Sequence, residues 1–225
     1  MDLPLWATAH LLVIGYWLGT DLAVYYLSGF IVDPSQPRPA RLLATRAMLI
    51  LDMIPRTAMI LTALLGLILA ARMGLIPGLQ AWLPLVWVVA LAWLALTWTV
   101  FRQQGKPLGL QLGRLDFGFR ILLVLLSTLL MLDSFGGGRL IAPAPWLGLK
   151  IGLFGLTIAM GLVIRLQLRP FGPLFGKVAA GTASAEDESA LQTLMAHVKI
   201  PVWVIWIALL IAAVLGRTRG LGLLS

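Results

Sequence analysis

The sequence contains no cysteine. That excludes disulfides, thiolate metal sites, a cysteine nucleophile and a cysteine-ligated iron–sulfur cluster. Charge is scarce as well. Charged residues fill 12% of the 225 positions, about half the share of an ordinary soluble domain. Histidine occurs only twice, as His10 and His197, which limits metal and acid–base chemistry. The patterns GxGxxG, GxxxxGK[ST], HExxH and GxSxG are missing, so nucleotide-driven work and the common hydrolase mechanisms lack support. What is abundant is apolar: 60% of residues are hydrophobic and the mean hydropathy is +0.96. Neither a water-soluble globule nor a disordered chain has that composition. The sequence reads as a single polytopic membrane domain over residues 1–225.

A helix needs about 20 apolar residues to cross the roughly 30 Å hydrocarbon layer. Six segments qualify: Pro4–Ile31, Leu43–Ala71, Leu79–Phe101, Phe117–Leu132, Trp146–Leu168 and Ile200–Leu215. The fourth and sixth are short and should extend through a polar turn. The run from Leu3 to Val32 is too long for the apolar part of a signal peptide and has no basic start, so it reads as an uncleaved first span. Gly- and Pro-rich breakers such as DPSQPRP (33–39), GKPLG (105–109) and FGPLFG (171–176) separate the spans. The fold class expected is an all-α bundle of six transmembrane helices.

Basic residues outnumber acidic ones, 17 to 9, and cluster beside the spans. This is the positive-inside pattern, so nucleic acid is not an expected partner. The first, third and fifth loops hold Arg38, Arg41, Arg46, Arg102, Lys106, Arg114, Arg165, Arg169, Lys177 and Lys199. The opposite side holds Arg72, Arg139, Arg217 and Arg219. That imbalance puts both termini outside and the odd loops in the cytoplasm, in a bacterial-type inner membrane. Within residues 181–199, Ser184 and the acidic run Glu186, Asp187, Glu188 read as the start of a short cytoplasmic amphipathic helix leading into the last span.

Ionisable groups inside hydrocarbon are expensive and therefore candidate functional groups. In the first span His10, Ile14, Trp17, Asp21, Tyr25 and Ser28 recur at helical spacing. This sets a polar and aromatic stripe on one face. The second span carries LDMIPR, with Asp52 and Arg56 at i,i+4 in the favourable order and Pro55 freeing the carbonyl of Leu51. Asp21 and Arg56 each lie about 16 residues from the outer end of their spans, roughly 24 Å in. Antiparallel neighbours should then make an Asp21–Arg56 contact, with Asp52 nearer the cytoplasm. Lys150 opens the fifth span at the shallow depth of His10. If it points inward rather than snorkelling to the headgroups, His10 and Lys150 form an outward-facing polar patch that Asp133 can join. His10 and His197 fall near opposite membrane faces, so one chain should not supply a bis-histidine haem.

Several short motifs resemble one family. HLLVIGYWLG, with His10, Trp17 and Gly19, is similar to the first span of copper resistance protein D-like membrane proteins and of the HemJ-type protoporphyrinogen oxidases. Arg46, Pro55 and Gly66 match the layout of their second span. WLGLKIGLFGL resembles their lysine-bearing span, with Lys150 at the matching position, and KIPVWVIWIALLI resembles their last span through Pro201. The resemblance implies a core with a polar centre that binds haem b through the His10 position, His10 being the metal ligand. A redox reading of this chain's own residues adds Lys150 and Arg56 to hold an anionic group such as a propionate or carboxylate, Asp21 to relay protons or orient Arg56, and Trp17, Tyr25 and Asp52 bordering the cofactor. The extra histidines of the oxidases are lacking here, while Asp21 and LDMIPR are additional. Read without the resemblance, the same residues also suit a proton-coupled transporter or channel, or a non-catalytic membrane subunit of a larger complex. In addition to the lipid bilayer, other membrane subunits or a second copy forming a homodimer are the partners such a chain would have.

Overall fold

The computed structural model describes residues 3–218; Met1, Asp2 and residues 219–225, with Arg219 of the charge tally, lie outside the described residues. All regular elements among the described residues are α-helices: α1 (Leu3–Val32), α2 (Arg38–Leu51), α3 (Met53–Arg72), α4 (Leu79–Arg102), α5 (Pro107–Phe135), α6 (Pro145–Gln167), α7 (Phe171–Ala180) and α8 (Ala185–Thr218). Six stretches are long and apolar enough to cross a membrane: α1, α2 with α3 as one 35-residue run, α4, α5, α6 and α8. The chain is thus a multi-pass integral membrane protein by helix length and composition. The exposed side chains include Leu11, Leu12, Leu22, Leu91, Leu122, Leu125, Ile207 and Leu210, as a lipid-facing surface requires.

Local sequence explains where these helices begin and end. Proline lies at the first or second position of α2, α5 and α6, where its missing N–H is not needed. The α2–α3 span is broken at Asp52, three residues before Pro55, and the interruption stays within one continuous crossing. Pro55 cannot donate to the carbonyl of Leu51, which is the expected kink. The polar segment after Gly181 and the last span form one helix, α8, which runs through Pro201 without stopping. The FGPLFG segment, read from sequence as a breaker, forms α7 and is closed by Gly181 in the left-handed conformation (φ 76°).

The spans close into a ring: α1 packs on α3, α3 on α4, α4 on α5, α5 on α6, α6 on α8, and α8 back on α1. Six crossings return the chain to the end of the bundle where it began. We call this the terminal end and the other the loop end. At the loop end, α7 covers α8 and α2 packs beside α1. The centre is filled by Trp17, Ala58, Met59, Ile60, Trp93, Ile158, Ile205, Trp206 and Leu209.

The closest helix pair, α5 and α6, meets through small residues. A Cβ built at Gly148 would fall 2.6 Å from Cβ of Ser134, and one at Gly155 would fall 2.7 Å from Cβ of Ser127. In lipid, where apolar burial gives no drive, such close backbone approach supplies the packing. Gly155→Leu is therefore expected to destabilise the bundle by about 1–3 kcal/mol through overpacking. Thermal melting in mild detergent measures it. Gly161→Leu is the control, because a Cβ there meets nothing within 4 Å.

Candidate functional site

The ionisable groups inside the ring occupy two levels. The first lies toward the terminal end. His10 is buried at 7% exposure on the inner face of α1, together with Ile14, Trp17 and Ser28. Its ring lies against α3 at Gly66, where an added Cβ would sit 3.4 Å from Cε1. The Thr62 backbone is close enough to interact with the ring, yet neither ring nitrogen makes a hydrogen bond of normal geometry. Trp6 Nε1 and Thr62 Oγ1 are likewise buried and unpartnered. Lys150 of α6 is near enough for its charge to act on His10. Its side chain lies along α8 at Gly216, where a Cβ would collide with the lysine Nζ. The structure therefore shows the inward orientation for Lys150 that the sequence left open. Asp133 does not join this patch. Its carboxylate accepts the backbone N–H groups of Arg139, Leu140 and Ile141 at 3.0, 2.8 and 3.0 Å, because the turn after α5 offers several donors that side chains elsewhere cannot match.

The second level lies roughly 16 Å along α1 toward the loop end, eleven residues on. Here the structure corrects the expected Asp21–Arg56 contact. Arg56 donates through Nε and Nη2 to Oδ2 of Asp52 in its own span. Asp21 instead accepts from Trp206 Nε1 of α8 at 2.8 Å. The i,i+4 pair wins because its partners are already adjacent, so little side-chain freedom is lost in joining them. Asp52 is the charge from the neighbouring span that reaches Asp21. Trp206 also packs at 5.2 Å against Tyr25 in a tilted contact and at 4.9 Å edge-on against Trp203. The expected stripe of His10, Trp17, Asp21 and Tyr25 thus does face the interior, but His10 and Asp21 belong to different levels, separated by Ile14 and Trp17.

A cluster that the sequence reading did not single out completes the second level. Asp116 of α5, 3% exposed, accepts from Trp93 Nε1 of α4 at 3.1 Å, from Arg120 Nε at 2.9 Å and from Arg165 Nη1 of α6 at 2.8 Å. Arg120 reaches Met59 Sδ of α3 at 3.6 Å and lies over the Trp93 ring at 5.5 Å. Arg165 also donates to the Gly113 carbonyl. The carboxylate thus ties α4, α5 and α6 together, and Arg120 extends the cluster to α3. The signal was present: LDFGFR (115–120) repeats the LDxxxR spacing of LDMIPR (51–56).

The two histidines do not meet, as expected: His197 lies at the loop end, its Nδ1 2.8 Å from the Thr193 carbonyl. Among the described residues no group of three His, Cys, Asp or Glu could hold a metal ion. Comparison with protein families, curated proteins and solved structures finds no match for this chain.

Proposed function

We propose that this integral membrane protein is a redox protein whose outward-facing centre, built on His10 and Lys150, binds haem b, as the copper resistance D/HemJ-type resemblance suggests. The observation that carries the reading is the pair of unpartnered nitrogens on a buried imidazole beside an inward-turned lysine. Leaving a buried polar group without a partner costs about 1–3 kcal/mol, so such a group is expected to have a use. The positive-inside distribution supports a loop end in the cytoplasm and a terminal end outside, as in a bacterial-type inner membrane.

The donor set fits one axial ligand and one anionic edge. A neutral imidazole offers a lone pair at one nitrogen and a donor at the other, and the nearby Thr62 backbone is the natural anchor for that second nitrogen. Lys150 supplies a cation for a propionate or a carboxylate substrate. Gly66 packs against the ring, and a side chain longer than a methyl there would press on Cε1. The layer of Ile14, Trp17 and Met59 below His10 keeps water from the loop end out of the centre. When bound, haem would supply one-electron chemistry.

Protein expressed with haem supplied is expected to purify with a Soret band. His10→Ala should abolish the band and Lys150→Gln should weaken haem retention in detergent. A colourless, folded wild-type protein would overturn the reading.

A further inference from the structure

Asp21 is a carboxylate inside the bundle that lies apart from the centre on His10 and Lys150. Among the described residues, the other carboxylates within the bundle all have cations or backbone donors. Asp52 holds Arg56, Asp116 holds Arg120 and Arg165, and Asp133 holds three N–H groups. Asp21 has one bond, from an uncharged indole. An ionised carboxylate has about four lone-pair sites to satisfy, and an unpaired charge in a low-dielectric interior takes up a proton or a counter-ion instead.

The surroundings decide which. A metal cation such as calcium needs about six to eight oxygen ligands. The groups beside Asp21 are aromatic: Trp206, Tyr25 and Trp203, the last two 6.1 Å apart. These rings pack on one another at 4.9, 5.2 and 6.1 Å, leaving no gap for an organic cation between them. A proton needs one oxygen and no extra space.

An approach toward it is also present, ending at Tyr25 rather than at the carboxylate itself. A groove of about 310 Å³ opens at the loop end between α1 and α8, lined by Tyr25, Tyr26, Gly29, Phe30, Asp33, Gln36 and Lys199. It has room for several waters. Its inner wall is Tyr25, one helical turn below Asp21 and in ring contact with Trp206. At its mouth, hydrogen bonds from Ser35 and Gln36 hold the Asp33 carboxyl below the usual carboxylate range, so a negative charge persists there. The Lys199 ammonium rests over the Tyr25 ring at 4.7 Å.

We propose that Asp21 is a proton-binding site, loaded from the loop end of the bundle through the groove between α1 and α8. One O–H bond forms on the Asp21 carboxylate as a hydronium in the groove loses a proton, and no electron moves. The charged groups facing Asp21 are Asp52, with Arg56 already bound to it, from the α2–α3 span, and Lys199 from α8 on the groove side. On its own helix Tyr25 is the titratable neighbour. Neither His10 nor haem is required, so a colourless protein leaves this proposal standing.

Two variants of the full-length protein in detergent test it. Infrared difference spectra between alkaline and acidic buffer should show a protonated-carboxyl band that Asp21→Asn removes. Gly29→Leu keeps the carboxyl and points a side chain into the groove, where a Cβ at Gly29 meets nothing within 4 Å. After a pH jump, the fluorescence change of Trp206, taken as the difference from Trp206→Phe, should slow about tenfold in Gly29→Leu with the same end point. Identical carboxyl bands in wild type and Asp21→Asn at every pH overturn the site. A wild-type rate in Gly29→Leu overturns the route, as it would if lipid rather than water fills the groove. If Asp21→Asn fails to fold, Asp21→Glu serves instead, through a displaced band.

Discussion

Replacing Asp116 by alanine is expected to cost about 3–5 kcal/mol, the usual penalty for removing one partner of a buried charge pair. The reason is arithmetic as much as geometry. Asp116 is one negative charge facing two guanidinium groups, Arg120 and Arg165, and it also satisfies the Trp93 indole. Its loss leaves Arg120, 7% exposed, with only a thioether and an aromatic face as partners. Arg165 is about one-third exposed and lies in the last turn of α6, so it can swing toward the headgroups; Arg120 cannot. Thermal melting in detergent should show a much less stable protein. Asp116→Asn, which keeps one acceptor and the shape, should lose less. The double variant Asp116→Leu with Arg120→Leu should regain most of the loss, since an apolar pair of similar volume often matches a buried ion pair. An alanine variant that melts like the wild type would show that the cluster carries no stability.

What the sequence made legible follows from chain-local physics. The stripe of α1 was visible because helical spacing alone decides which residues share a face, and His10, Ile14, Trp17 and Ser28 are indeed buried. The Asp52–Arg56 pair was visible because both members lie in one span. Pro55 marked the break beside it for the same reason. The contact expected between Asp21 and Arg56 required knowing which of several donors a carboxylate would choose. Depth along the membrane was the only coordinate available, and rotation of α1 toward α8 decided for Trp206. Asp116 lies one residue before the apolar segment Phe117–Leu132 that the sequence marks as a span. The actual helix, Pro107–Phe135, carries Asp116 inside it, 3% exposed. Hydropathy marks the centre of a span and undervalues its polar ends, and that is where the Asp116 cluster was hidden.

The level at which the loop end is held together gives a second large effect. Arg41 is 4% exposed at the start of α2. Its Nη1 and Nη2 donate to the two oxygens of Glu188 on α8 at 2.8 and 2.7 Å, and its Nε donates to the Ile31 carbonyl of α1 at 2.8 Å. The guanidinium fork thereby joins three helices and satisfies one carbonyl that the end of α1 leaves open. Lysine cannot reproduce that pattern, having one nitrogen where the site needs three. Arg41→Ala should cost about 3 kcal/mol or more, since it strands both Glu188 and the Ile31 carbonyl. Arg41→Lys should recover only part of the loss, and Glu188→Gln should cost less than either. The damage should be local. Hydrogen exchange should speed up at the end of α1, in α2 and in the first turns of α8, while the central layer of Trp17, Met59 and Ile158 keeps its protection. Because the groove below Asp21 is bounded by α1, the loop after it and α8, the same opening should speed the Trp206 response to a pH jump, opposite in sign to the effect of filling the groove at Gly29. An Arg41→Ala protein with global rather than local loss of protection would mean that the ring of spans depends on this clamp, and that the two ends of the bundle do not move independently.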